Sequence, residues 1–240
     1  GVSLAAAAAC GPTVWLLIFV KALLVSGVWT FSYYALRVLP ISIVVPIRAS
    51  SPLWNFIGGV ILFHEVPSPL HGLAMLLVFA GYYLFSVAGR MEGISFLKHR
   101  GIHFIMIGTL FASASALYDK QVLGVWRIPR ETVQLWFSID LVIILGTLYA
   151  IRMLFFRKGV EFQWRWTVPL AGILLIVSDY FYFASVSCPD TQIAMITLVR
   201  RGVGVVLTFL LGSAIFHDRN VKRKAVALAL IVAGVLLLAF

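Results

Sequence analysis

Long apolar runs that carry almost no charged residues are the dominant feature of this chain. Of its 240 residues, 62% are hydrophobic and only 12% are charged, and the mean hydropathy is +1.02. Soluble domains are about 45–50% apolar and about 25% charged. A water-soluble globule of this size could not bury so much apolar surface, and disordered, collagen-like or disulfide-stabilised chains have other compositions. Lipid is therefore the predicted solvent for most of the chain.

Eight apolar segments are candidates for helices that cross a bilayer, each of which needs about 20 predominantly apolar residues. The runs are continuous and do not alternate between polar and apolar residues, so helices are predicted rather than strands of a membrane barrel. Breaks rich in proline, such as the one at 66–69, separate the runs. The predicted spans are 14–38, 41–63, 70–88, 102–124, 132–155, 166–187, 191–216 and 225–240.

An internal repeat relates the second predicted span to the seventh. The triplet FHE at 63–65 returns as FHD at 216–218, and at the same offset Arg48 corresponds to Arg201. The two spans are five apart in the order of the spans, an odd number, so the matching segments run in opposite directions. The predicted fold class is an all-α, polytopic membrane helical bundle with an inverted-topology repeat.

The repeat predicts two domains of unequal length. Residues 1–88 form a partial N-terminal repeat of three helices, 89–101 a basic connecting loop, and 102–240 a C-terminal repeat of five helices. Two helices are therefore expected to be absent from the front of the first repeat. The alternatives are a chain that begins inside a longer protein and a genuinely shortened family member, and Gly1 in place of Met favours the former.

Several short motifs of the first half occur in a defined order along the chain. YALR at 34–37 precedes a helix with SP at 51–52, which ends in FHE at 63–65, and Gly72 and Gly81 follow in the next helix. This pattern resembles the EamA-like permeases of the drug/metabolite transporter superfamily, which have two five-helix repeats. The resemblance covers nearly the whole chain, although the second half is less typical. It implies a ten-helix secondary carrier or exporter of small metabolites, here eight helices of the ten.

The expected function is a transmembrane secondary transporter of small polar metabolites, such as amino acids or derivatives, with alternating access between the repeats. The alternatives are a carrier of nucleotide-linked or lipid-linked sugars and, less favoured, an intramembrane lipid enzyme or a subunit that does not transport. No catalytic constellation and no cofactor is predicted. The net charge is +10. Most of the basic residues lie in short connections between the spans, where they are expected to set membrane orientation rather than to bind nucleic acid. The expected partners are a small-molecule substrate and the lipid bilayer, with coupling to protons or another cation left open, and the expected location is the bacterial inner membrane.

Charged side chains are rare inside membrane spans because each costs about 2.5–3.5 kcal/mol on insertion scales. Here one stripe of the second span carries a charge together with small and polar residues, and the seventh span reproduces this pattern. The polar members are predicted to line a substrate pathway, whereas close helix packing is an equal alternative for the glycines. The stripes are Arg48, Ser51, Asn55 and Gly59 in the second span and Arg201, Gly204, Thr208 and Gly212 in the seventh.

Five further residues are candidates for the pathway. Asp179, with Tyr182 close by, lies deep in its span and is the predicted proton-responsive or cation-recognising carboxylate. Lys21 lies about a third of the way along its span, where it either extends to the interface or enters the pathway. Asp119, next to Tyr118, ends a stripe of small residues, and a position at the water interface is the alternative. No cluster has the spacing of a metal site.

Overall fold

The computed structural model describes residues 10–39, 44, 47–48, 50–65, 68–89, 99–156, 164–188, 192–216, 226, 229–234 and 237. These residues form seven α-helices and one π-helix, and no strand occurs among them, which confirms the all-helical class. The elements are α1 (Pro12–Leu36), α2 (Ser51–Phe63), α3 (Pro69–Gly89), α4 (Arg100–Asp119), the π-helix (Lys120–Val125), α5 (Arg130–Phe156), α6 (Thr167–Val186) and α7 (Ile193–Phe216).

Four segments of the described chain are helices long and apolar enough to cross a membrane, and each coincides with a predicted span. They are Pro12–Leu36, Arg100–Val125, Arg130–Phe155 and Thr167–Val186. Their outward faces are apolar: Val142, for example, is 72% exposed, and Leu154 is 77% exposed. Such surfaces suit contact with lipid, as expected for an integral membrane protein.

In the second predicted span, 41–63, helix α2 covers the part from Ser51 onward, and the described residues Val44, Ile47 and Arg48 before it are also helical. The regular helix begins at Ser51, and Pro52 lies in its first turn, where the missing backbone N–H leaves no hydrogen bond unmade. Half of the eighth predicted span, 225–240, lies outside the described residues, and its described residues are helical. Most of the basic loop at 89–101 lies outside the described residues, and so do His217 and Asp218 of the FHD triplet.

The chain divides into two compact units. The first comprises the described residues of Gly1–Gly27 and Tyr118–Thr191, and the second comprises those of Val28–Leu117 and Gln192–Phe240. These units are defined by spatial proximity, whereas the predicted domains 1–88 and 102–240 are defined by sequence correspondence. The sequence-based domains therefore stay a prediction.

Within each unit, helices pack through their apolar faces. In the first unit, α5 and the π-helix both pack on α6. In the second unit, α2 and α3 both pack on α7, where Val78, Leu198 and Ile231 form a fully buried cluster with Met75. These packed faces hold the polar side chains described next.

Candidate functional site

A buried ion pair lies in the first unit. The ammonium group of Lys21, from α1, contacts Oδ1 of Asp119, the last residue of α4. Lys21 is 2% exposed and Asp119 is 3% exposed. Both side chains are therefore buried within the protein rather than exposed to solvent.

Two phenylalanine rings complete the surroundings of the Lys21 ammonium. Its Nζ atom lies 4.6 Å from the ring centroid of Phe137, on α5, and 4.6 Å from that of Phe183, on α6. The two centroids are 6.2 Å apart, with ring planes at 75°. Both distances are within the range of cation–π attraction, about 6 Å. We call Asp119, Phe137 and Phe183 the ammonium box.

Polar groups of α6 support the carboxylate of the box. The Tyr182 hydroxyl donates a hydrogen bond to Asp119, and the Asp179 carboxylate is close enough to Asp119 to repel it electrostatically. Asp179 and Phe183 are four residues apart, so they share one face of α6. Tyr182 is buried and Asp179 is half-buried. The structure thus brings together four predicted pathway residues: Lys21, Asp119, Asp179 and Tyr182.

The fifth predicted residue of this unit, Tyr118, has a positioning contact. Its hydroxyl donates to the carbonyl oxygen of Leu17 at 3.0 Å, one helix turn before Lys21. Directly after Asp119, the chain changes from α-helix to π-helix, and the Trp126 N–H donates to Gln121 O at 2.9 Å. π-Helical turns are rare and are often found at functional sites, so the π-helix is a further indication of a functional site at the box.

A second buried carboxylate lies elsewhere in the same unit. Asp140, on α5, is 2% exposed and accepts a hydrogen bond at 3.2 Å from the indole Nε1 of Trp15, on α1. Its other oxygen, Oδ2, has no hydrogen-bond partner. Two positions apart on α1, Trp15 therefore contacts α5 and Leu17 contacts α4.

Phe137 and Phe183 were not predicted from the sequence. Each lies in a predominantly apolar helix, where one more phenylalanine carries no signal of its own. Only the contact with Lys21 distinguishes these two rings from the other aromatic residues. Pattern reasoning could not have found them.

In the second unit, the predicted stripe of α2 faces α7. Asn55 Nδ2 donates to Thr197 Oγ1 at 2.9 Å, and Arg201 Nε donates to Ser51 Oγ at 3.1 Å. Ser51 O also accepts from Ser113 Oγ at 3.1 Å. We call Ser51, Asn55, Thr197 and Arg201 the polar seam. Thr197, one turn before Arg201, is the member that the sequence did not predict.

Two other stripe residues are placed less completely. Arg48 is half-buried, one turn ahead of Ser51. Thr208 is helical in α7, but its side chain lies outside the described part of the chain. Asn55 is 1% exposed, and its Oδ1 atom has no hydrogen-bond partner.

The FHE triplet at 63–65 has a structural role. His64 adopts a left-handed conformation, with φ of 52°, and ends α2. The backbone N–H groups of His64 and Glu65 both donate to Gly59 O. Glu65 Oε1 then accepts a hydrogen bond at 3.2 Å from the N–H of Ile193, the first residue of α7. The triplet therefore closes one helix and caps the start of another.

The described residues contain no group of three His, Cys, Asp or Glu side chains that could hold a metal ion. The chemistry on offer is instead ionic and aromatic. The ammonium box suits a cation, and the guanidinium of the polar seam suits an anion.

No protein-family profile and no curated protein matches the chain. A solved structure, described only as the crystal structure of a protein, superposes on it with a TM-score of 0.72. The alignment covers 96% of this chain and 77% of that chain, at 20% sequence identity. At this identity the likeness shows a shared fold alone.

Proposed function

We propose that the chain is a secondary transporter of small polar metabolites, such as amino acids or their derivatives, in a bacterial inner membrane. It is proposed to resemble the EamA-like permeases of the drug/metabolite transporter superfamily, and to work by alternating access between two inverted repeats. One observation carries the proposal: a lysine and an aspartate form a buried ion pair within helices long and apolar enough to cross a membrane.

Stability alone does not account for such a pair. Removing two charges from water costs several kcal/mol per ion, and apolar replacements of a buried ion pair are often neutral or even stabilising by about 1–4 kcal/mol. Within membrane segments, buried ionisable groups mark substrate and ion pathways. The box places an ammonium, a carboxylate and two aromatic faces at one such location, which supports transport of a polar solute.

Independently of the box, the guanidinium groups of the second unit favour a solute that carries an anionic group. Arg201 is held by Ser51 in the seam, and Arg48 lies half-buried one turn away. Guanidinium groups bind carboxylates and phosphates through paired hydrogen bonds. An amino acid derivative has such a carboxylate, and a nucleotide-linked sugar, the second candidate substrate, has a phosphate.

Solute flux into proteoliposomes tests the proposal. The full-length protein is reconstituted and offered amino acids, amines and nucleotide-linked sugars, with and without an imposed proton gradient. We expect saturable flux for one of these classes and its loss in Asp119→Asn. Glu131→Gln is the matched control, because Glu131 is a carboxylate of the same unit that forms a partly exposed pair with Arg130 and is not a member of the box.

Two results would contradict the proposal. One is the absence of flux for every solute class and gradient from well-folded protein. The other is flux through Asp119→Asn at the parental rate.

A further inference from the structure

The ammonium box is filled by a cation that belongs to the protein itself. We infer that the box is a recognition site for the primary ammonium group of a solute, and that Lys21 occupies it as a tethered substitute. The inference deepens the proposed function and rests on it in one respect: the solute that displaces Lys21 is the one transported.

The walls of the box select an ammonium over other polar groups. Phe137 and Phe183 present ring faces at 4.6 Å from Nζ, and the negative faces of aromatic rings attract cations and repel anions. Asp119 supplies a full negative charge and a hydrogen-bond acceptor. A hydroxyl would gain neither the charge attraction nor the cation–π attraction, and a carboxylate would be repelled by all three walls.

The occupant is easier to move than the walls. The walls come from α4, α5 and α6, whereas the ammonium enters from α1 on a flexible four-carbon stem. The Tyr118 hydroxyl binds Leu17 O, which fixes the α1 backbone one turn from Lys21. Emptying the box therefore requires a rotamer change of the Lys21 side chain, which is a smaller movement than displacement of a wall helix.

The exchange also keeps the charge of the box balanced. When a solute ammonium replaces that of Lys21, Asp119 still faces one positive charge. The displaced lysine has a second carboxylate close by, since Asp179 lies within electrostatic reach of Asp119 and is only half-buried.

Chemical rescue of Lys21→Ala tests the site directly. The purified variant is titrated with n-butylammonium, and thermal unfolding reports binding. We expect a saturable rise in unfolding temperature and an apparent affinity at least about tenfold tighter than that of the parent, in which the competent, empty box is a minor state. The Lys21→Ala, Asp119→Asn double variant should lose the response.

Two matched controls separate an ammonium site from a simple cavity. 1-Butanol has the same alkyl chain without the charge, and Lys21→Met fills the space of the lysine stem without an ammonium. Neither 1-butanol with Lys21→Ala nor n-butylammonium with Lys21→Met should raise the unfolding temperature. Equal effects of 1-butanol and n-butylammonium on Lys21→Ala, or equal affinities of parent and variant for n-butylammonium, would overturn the inference.

A second measurement uses the parent protein and does not depend on the folding of Lys21→Ala. Protein labelled with ¹³C at lysine Cε is titrated with n-butylammonium, and Lys21→Arg assigns the Lys21 signal by its disappearance. The two phenylalanine rings should shift this signal away from those of the other lysines. Titration should move it to the position of a solvated lysine, and a signal that does not move at saturating probe would refute the exchange.

These binding measurements need no transport, so the two proposals fail in different ways. Ammonium binding without flux of any solute would support the box and defeat the transporter. Flux of solutes that lack an ammonium, without n-butylammonium binding, would support the transporter and defeat the assignment of the box.

Discussion

At the residue scale, the stability of the first unit depends on keeping the charges of Lys21 and Asp119 together. Each partner is buried, so removal of either one leaves the other with a desolvated and uncompensated charge. Removal of both leaves no such charge. Substitution of one member of the pair is therefore expected to destabilise the protein more than substitution of both.

We expect Asp119→Asn to lower the free energy of unfolding by about 3–5 kcal/mol, the range for breaking a buried ion pair. The Lys21→Met, Asp119→Asn double variant should be less destabilised than Asp119→Asn alone. Denaturation in detergent micelles measures both. Glu131→Gln is the control, because it removes only the partly exposed pair of Arg130 and Glu131, which contributes at most about 1 kcal/mol. Additive effects of the two box substitutions would contradict this account of the pair.

A second prediction at this scale concerns the polar seam. Thr197→Val removes the acceptor of Asn55 Nδ2, whose Oδ1 atom already lacks a partner. Stranding this buried amide should cost about 1–3 kcal/mol of unfolding free energy. Thr147→Val is the matched control, since the exposed Thr147 hydroxyl bonds only to Ile143 O of its own helix. Similar unfolding midpoints for the two variants would show that the seam contributes no specific stability.

At the scale of elements, the turn after α2 connects two helices through a single carboxylate. Glu65 folds back towards Gly59 and binds the first N–H of α7. A Cβ atom on Gly59 would lie 2.5 Å from Glu65 Oε2, so a side chain there displaces the cap. The absence of a side chain at this position is a requirement of the turn rather than of helix formation.

Gly59→Ala should therefore destabilise the protein, although alanine is the better helix former. The expected cost is about 0.5–2 kcal/mol, the worth of a helix cap. Gly146→Ala is the control of opposite sign: a Cβ there meets nothing within 4 Å, and the substitution should gain up to about 1 kcal/mol. Thermal unfolding compares the two, and a stabilised Gly59→Ala variant would rule out the role given to Glu65.

At the scale of the whole molecule, most of the surface of the long helices is apolar. Val142, in the middle of α5, is 72% exposed, and Leu154, near its end, is 77% exposed. In water these surfaces would favour aggregation. In a bilayer, contact of these apolar side chains with lipid is favourable, which agrees with the four helices long enough to cross a membrane.

Val142→Lys should therefore make the free energy of membrane insertion of α5 less favourable by about 2.5–3.5 kcal/mol, the cost of a lysine at the centre of a span. Leu154→Lys should cost much less, because a lysine near the helix end reaches the interface. A glycosylation reporter of insertion, applied to the full chain, measures both. Equal costs at the two positions would argue against α5 crossing the bilayer between them.

The sequence by itself determined the helical class and the bounds of the long spans, because hydropathy and span length are local properties of the chain. It also identified Lys21, Asp119 and Asp179 as unusual, since a charge within an apolar run is visible without a structure. Only the tertiary structure decided that Lys21 meets Asp119, 98 positions away, between Phe137 and Phe183. The physical reason is that helical periodicity assigns residues to faces of one helix, whereas the partner of each face depends on how the helices pack.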